Sequence, residues 1–280
     1  MHWILKLVIM ELKEKTFVVT GGGSGLGRQL TLELVKDGAN VAPIDIHLAG
    51  LQETVQLAGE KGENIFPLVC DITDQAAVQA LPQKILARYG HINGLINNAG
   101  IIQPFVNVEN MDDSLIDRLF NINFFGTLHM TRAFLPYLRQ EDEACLANVS
   151  SLGSFVPVSG QTMYGASKAA VKQLTEGLRA ELEGTNVHVL SIIPGAMATP
   201  IRQNSGLEAV NVEKQKTKGV LNPSDAAKLI VHAIQKNKAE LYVGTDSRLM
   251  HFLFRFIPMQ ATKWLNAIIR RQHQSMAAKR

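Results

Sequence analysis

The chain has 280 residues, 46% of them hydrophobic and 19% charged, which suffices for a sizeable core in one large α/β domain or two small ones. The net charge of +3 is unevenly spread. Residues 247–280 carry seven Lys or Arg and no Asp or Glu, so residues 1–246 are mildly acidic and offer no basic stripe for nucleic acid. Cys70 and Cys145, each in an apolar run, give no disulfide framework, and the scattered histidines contain no H-x-x-x-H pair, so no metal is expected.

The opening "MHWILKLVIM" is apolar but only ten residues long, against the roughly 20 that a bilayer span needs. It lacks the small-residue cleavage site of a secretory signal. Residues 1–15 are therefore expected to form an N-terminal extension that packs on the body or touches a membrane surface. Strand-like runs then alternate with helical patterns. Strands are expected at 16–20, 40–45, 65–71, 92–100, 145–151, 187–195 and 239–244. Helices are expected at 27–38, 47–61, 74–89, 112–138, 163–183 and 223–236. About seven short apolar strands with helices between most of them argue for an α/β fold, a parallel sheet covered on both faces. No linker divides residues 1–246, which read as one domain followed by a C-terminal extension, 247–280.

"TGGGSGLG", residues 20–27, lies between the first strand and the first helix. Glycines there let a pyrophosphate approach backbone N–H groups at the positive end of a helix dipole. The candidates for that cradle are Gly21, Ser24, Gly25, Leu26 and Gly27. The spacing is Thr-Gly-x-x-x-Gly-x-Gly, neither G-x-G-x-x-G nor a P-loop. An ordinary flexible turn is the plain alternative. Asp45 ends the second strand, where an acid accepts from ribose hydroxyls and repels a 2′-phosphate. Ile46, His47 and Leu48 follow, with no Lys or Arg, which favours NAD over NADP. Its plain alternative is a helix cap. Asp71, with Ile72 beside it, has the same ambiguity at the end of the third strand.

"YGASK", residues 164–168, puts Tyr164 and Lys168 one turn apart on one helix face. Alone, that pair could be a surface contact. Together with "TGGGSGLG", "NNAG" (97–100), "NINFFG" (121–126), "NVSS" (148–151) and "PGAMATP" (194–200), it makes the chain resemble the short-chain dehydrogenase/reductase family in its single-domain form. Six motifs in the family's order span about 180 residues.

The resemblance implies a Rossmann-like, doubly wound sheet. It also implies a catalytic set of Asn123, Ser151, Tyr164 and Lys168, with Ser150 the neighbour that could be confused with Ser151. Asn97, Asn98, Ala99 and Gly100 would shape the floor of the cofactor site, and Pro194, Gly195 and Thr199 would border the nicotinamide. The chemistry follows from the side chains. Hydride transfer to a carbonyl leaves an alkoxide that needs a proton. A free tyrosine, with a pKa of about 10, is a poor base at neutral pH, and an adjacent ammonium favours its phenolate. Ser151 can donate to the carbonyl oxygen, and in the family the asparagine holds a water linking the lysine to solvent. Each residue has a bland alternative (turn serines, a satisfied buried amide, a core phenol), but all of them together at these intervals do not.

Residues 200–222 fall where the family places a mobile substrate lid, with Ser205-Gly206 as a hinge, and are expected to order on binding. Leu152, Phe155, Val156 and Met197 are the candidate pocket side chains and point to a hydrophobic alcohol or ketone. In the tail, Met250, Phe252, Leu253, Phe254, Phe256, Ile257 and Met259 form an apolar cluster. After Pro258, Trp264, Leu265, Ile268 and Ile269 lie at helical spacing beside Lys263, Arg270 and Arg271. This stripe suits an anionic lipid surface, the body of the protein or a second subunit equally well. The sequence thus reads as an NAD-dependent alcohol/carbonyl oxidoreductase, a homo-oligomer in the cytoplasm, with peripheral membrane contact through the tail left open. The rivals are an NADP-dependent reductase and a nucleotide-binding scaffold without turnover.

Overall fold

A computed structural model describes residues 9–207 and 220–277, with side chains up to residue 268. Apolar runs become strands. These are β1 (Thr16–Thr20), β2 (Asn40–Asp45), β3 (Leu68–Val69), β4 (Gly94–Asn97), β5 (Ala144–Val149), β6 (Val187–Pro194) and β7 (Glu240–Val243). Of these, β1, β4 and β5 are buried throughout, while the edge strands β3 and β7 are partly exposed. They form one sheet in the order β3-β2-β1-β4-β5-β6-β7, and every pairing is parallel. The register places Val18 beside Ala42 on one side and Leu95 on the other.

The connecting helices are α1 (Gly25–Lys36), α2 (Leu48–Leu57), α3 (Gln75–Gln79), α4 (Leu81–Tyr89), α5 (Asp113–Phe120), α6 (Thr127–Leu138), α7 (Thr162–Glu181), α8 (Ile201–Asn204) and α9 (Pro223–Gln235). Helices α10 (Thr245–Phe256) and α11 (Pro258–Ala277) follow the last strand. One core layer joins Phe17, Leu30, Leu34, Ile192 and Ile230, and a second joins Ile44, Ile85, Leu95, Met130 and Phe134. Helices therefore cover both faces. The strand order reverses between β1 and β4, and a doubly wound sheet opens a crevice at such a switch point, beyond the carboxyl ends of its strands.

The elements depart from the sequence expectation where a local residue forbids continuity. The strand expected at 65–71 shrinks to Leu68–Val69, with Ile65 making one isolated bridge to Val41. Pro67 lies between them and has no N–H for a ladder. The helix expected at 74–89 restarts at Leu81 with Pro82 in its first turn. The helix expected at 47–61 stops at Leu57, and a 3₁₀ turn follows from Gly59, whose φ is +59°. Between α5 and α6, residues Asn121–Gly126 wind as a π-helix, a form that concentrates at functional sites.

The described part of the N-terminal extension packs on the body. Met10 is fully buried and its N–H donates to Gln235 O at 2.9 Å; residues 1–8 lie outside the described residues. Among the described residues no helix is long and apolar enough to cross a membrane.

Candidate active site

A cavity of about 960 Å³ runs along the crevice, from Asp45 and Asp71 at one end to Leu265 and Ile268 at the other. That is near the top of the range of about 300–1,000 Å³ for small-ligand pockets.

The first end is made largely of backbone. Gly21 adopts φ +70°, and a Cβ there would sit 2.9 Å from Asn98 Nδ2 and 3.1 Å from Ala99 Cα. Thr20 ties the two strand ends together: its hydroxyl accepts from Asn98 N at 2.9 Å and Ala99 N at 3.0 Å, and its carbonyl accepts from Asn98 Nδ2 at 2.9 Å. Gly21, Ser24, Gly25 and Leu26 line the cavity, as do Asn98, Ala99 and Gly100. Gly27 does not; a Cβ there would overlap Gly21 O, so its role is to let α1 press against the turn.

Asp45 reaches the cavity with both oxygens fixed. Oδ2 accepts from Gly23 N and Oδ1 from His47 N, each at 3.0 Å. Arg28 is engaged behind the turn, by Glu53 at 2.6 Å and by Gly23 O. Asp71 lines the cavity while its Oδ1 accepts from the N–H and hydroxyl of Thr73, and the buried Ile72 lines it next door.

The chemical centre lies where β5 and α7 meet. Lys168 is 4% exposed and its Nζ donates to Val149 O at 3.0 Å. Burial lowers its pKa to about 8. Tyr164 is half-buried in the cavity wall. Burial raises its pKa, and a hydrogen bond with Ser151 pulls the other way. In this arrangement burial outweighs any pull of Lys168 on the phenol. The helical spacing does put both on one face, but the ammonium bonds to a carbonyl of β5, and desolvation dominates both groups.

The two serines separate by geometry. Ser150 Oγ donates to Lys168 O at 2.8 Å and anchors α7 to the end of β5. Ser151 Oγ accepts from Gly153 N at 3.1 Å and serves the phenol.

Asn123, in the π segment, stands behind the wall rather than on it. Its Oδ1 accepts from Ile101 N at 2.8 Å; its Nδ2 donates to Ile101 O and Ser167 Oγ, each at 3.0 Å. Ser167 Oγ donates in turn to Tyr164 O at 2.8 Å. Both ends of the Asn123 amide are thus engaged with Ile101 and Ser167, one hydrogen bond from the Tyr164 backbone. Gly100 is the gap beside it: a Cβ there would lie 3.0 Å from Asn123 Oδ1 and 3.1 Å from Lys168 Nζ. Asn97 is not on the floor; its buried amide donates to Asn148 Oδ1 and Thr131 Oγ1 behind the sheet.

Pro194, Gly195 and Thr199 line the cavity beyond β6. There the fold brings in residues that the sequence reading missed. Asp246, from the first turn of α10, accepts from Ala196 N at 2.7 Å and packs where a Cβ on Gly195 would go. Fully buried Gln103 accepts from Tyr164 N at 2.7 Å and donates to Gly160 O at 2.9 Å, fixing the start of α7. Sixty-one positions separate Gln103 from Tyr164, so no local spacing could reveal the contact.

The far end is apolar. Leu152, Phe155 and Met197 line it as expected, together with Ile101, Ile102 and Phe105. Val156 does not: it is fully buried and packs with Met250 and Ala261 from the tail. In the expected lid, α8 lies along the cavity and Leu221 bridges Met197, while residues 208–219 lie outside the described residues. The tail stripe splits into two faces. Met250, Leu253, Phe254 and Leu265 pack inward, whereas Phe252, Phe256, Met259, Trp264 and Ile268 remain exposed. The side chains of Ile269, Arg270 and Arg271 lie outside the described residues.

These residues fit a dinucleotide. The glycine cradle leaves space that a Cβ would fill, a fixed carboxylate stands at one end, and a buried lysine with a phenol stands at the middle. A family model described as short chain dehydrogenase matches residues 15–209. A putative oxidoreductase, SadH, of Mycobacterium tuberculosis is 32% identical over 253 residues, covering 87% of this chain and 91% of that one. A 1-deoxy-11-beta-hydroxypentalenate dehydrogenase of Streptomyces avermitilis is 32% identical over 241 residues, covering 85% and 88%. The crystal structure of a 3-ketoacyl-(acyl-carrier-protein) reductase from Brucella melitensis complexed with NADH superposes with a TM-score of 0.75 at 27% identity, covering 83% and 98%.

Proposed function

This chain belongs to the short chain dehydrogenase family, and on that footing we propose that it is an NAD-dependent oxidoreductase interconverting an apolar alcohol with its carbonyl. The observation that carries the proposal is the meeting of Ser151, Tyr164 and Lys168 on one cavity wall, between a glycine cradle and an apolar end.

The dinucleotide, when bound, supplies the nicotinamide that gives or takes the hydride. Gly21, Ser24, Gly25 and Leu26 would hold its phosphates, Asp45 its adenosine ribose, and Lys168 with Pro194, Gly195 and Thr199 its nicotinamide half. Tyr164 Oη, raised by burial, keeps its proton at neutral pH and can give it to an alkoxide oxygen. In the oxidative direction the phenol first loses that proton to solvent, and the phenolate oxygen then takes the proton of the alcohol. The Ser151 hydroxyl partners that phenol and can orient the substrate oxygen. Lys168, at about 8, is mostly charged at neutral pH and favours the deprotonated phenol once it forms. Asn123 and Gln103 position α7.

Asp45, with no cation after it and Arg28 committed to Glu53, supports NAD over NADP. The NADH in the Brucella reductase supports the same reading. The apolar lining, and a relative named for a hydroxypentalenate, support a hydrophobic substrate. The test is a screen that follows nicotinamide absorbance over lipophilic and small polar alcohols with both cofactors. NAD-linked turnover of lipophilic members is expected, and Tyr164→Phe should lower kcat by about 10²–10⁴-fold while NAD still binds. NAD binding without hydride transfer on any alcohol would make the chain a scaffold instead.

A second reading concerns location. Leu249, Phe252 and Phe256 are exposed along one side of α10 and are continued by Met259, Trp264 and Ile268. Arg248, Arg255 and Lys263 accompany them, with no acid after Asp246. An apolar face accompanied by cations and no acid of its own helices after Asp246 suits anionic lipid, so the chain would sit at a membrane surface. A second copy of the chain is the competing occupant.

A further inference from the structure

The C-terminal helix α11 is more than an appendage on the catalytic body. Its side chains enter the cavity: Leu265 and Ile268, one turn apart, lie on the wall of the apolar end. Leu265 packs in a cluster with Leu152 and Phe155, which belong to the segment between Ser151 and Tyr164. Ile268 lines the cavity yet is 54% exposed, which places it at the rim.

A polar latch holds the helix there. Asn266 is 8% exposed, and its Nδ2 donates to Pro157 O at 2.9 Å while its Oδ1 accepts from Ser159 N at 2.8 Å. One amide thus satisfies a backbone acceptor and a backbone donor of the segment that joins the two reacting side chains. Buried amides are costly when unpaired, so this pairing fixes both the rotation and the depth of α11 and aims Leu265 inward. At the other end of the extension, Asp246 accepts from Ala196 N, and Ser247 Oγ donates to Ile193 O at 2.8 Å. The extension is therefore pinned on both sides of the cavity, beyond β6 and beyond β5.

We propose that α11 is the distal wall of the substrate site, with Leu265 and Ile268 as specificity-determining residues that select long apolar alcohols or ketones. The proposal rests on the alcohol/carbonyl reading above. A short alcohol placed by Ser151 and Tyr164 leaves these two side chains unmatched, whereas a chain or ring system extending over Leu152 and Phe155 reaches them. Contact with apolar surface removed from water then gives the longer molecule its advantage.

The full-length protein is assayed with NAD on a secondary-alcohol series from 2-butanol to 2-decanol. Binding of 2-decanol to the NAD complex is measured in parallel by calorimetry. Leu265→Ala should lower the ratio of kcat/KM for 2-decanol over 2-butanol by roughly tenfold and weaken 2-decanol binding by a similar factor. Ile268→Ala should do so by a smaller factor. Leu265→Trp, which fills the distal space, should also lower the ratio, by excluding the long members. Asn266→Leu should reproduce the Leu265→Ala pattern through lost alignment, visible in KM more than in kcat. A ratio within twofold of wild type in Leu265→Ala and Leu265→Trp, with unaltered 2-decanol binding, would overturn the proposal. If no alcohol turns over but 2-decanol binding still weakens in Leu265→Ala, the redox reading fails and the distal wall stands.

Discussion

Beneath Asp45 the cavity wall is one tight turn, Gly21 with Ser24, Gly25 and Leu26, whose N–H groups and left-handed glycines do the shaping. Beneath Leu265 it is a mosaic of residues from positions 101, 102, 105, 152–155, 197, 265 and 268. The first end tolerates little change because backbone meets backbone: a Cβ on Gly21 or Gly27 collides with the adjoining turn or strand end. The second end meets its neighbours through Leu, Ile, Phe and Met, which swap with modest loss when volume is conserved. One end is thus rigid in shape, and the other is open to side-chain change.

The largest expected effect on stability concerns Lys168, where the two ends meet. Its folded pKa of about 8 lies below the unfolded value of about 10.4. Between those values the unfolded chain binds more protons, so this group's contribution to stability rises with pH and is at its lowest below pH 8. The difference in urea-unfolding free energy between wild type and Lys168→Met should grow by about 2 kcal/mol from pH 8 to 9.5. Taking the difference cancels the opposite trend of groups such as Cys145, which burial raises to about 12. A flat difference would mean that the ammonium is solvated and that the centre is not set apart from water.

Next in size is Asp45→Asn, which touches the backbone-built end alone. Losing a charged acceptor should weaken NAD binding by roughly 10–100-fold and NADP binding less. The preference of kcat/KM for 2-decanol over 2-butanol should not move. A change in that preference would show that the two ends are coupled. The smallest effect is on the outer face of the tail. Arg255→Glu and Lys263→Glu should each reduce flotation on phosphatidylserine-containing vesicles by about 1 kcal/mol, or roughly fivefold. Equal flotation of wild type and variants, with a dimer that Phe256→Asp dissociates, would assign that face to a second copy.

The legibility of the sequence follows the same division. The glycine turn, Asp45, Ser151 and the Tyr164–Lys168 pair are local patterns whose spacing states their geometry, and the alternation of strands and helices stated the sheet. Val156 was placed on the cavity because its neighbours are there; packing against Met250 and Ala261 turns it away. Gln103 and Asp246 carry no signature, since each acts through a contact with chain far away in sequence. The tail looked like one stripe because helical spacing records which residues share a face, not which face finds a partner.

The amino-acid sequence by itself determined the order of elements, the glycine turn and the placing of Tyr164 and Lys168 on one helix face, because those depend on short-range periodicity, glycine conformation and spacing within one turn. Only the tertiary structure decided that the Ser150 hydroxyl is spent on Lys168 O, that Gln103 and Asp246 reach the site, and that the last helix lines the cavity. Desolvation and long-range packing depend on what surrounds a group in space, and that is set by the whole chain at once.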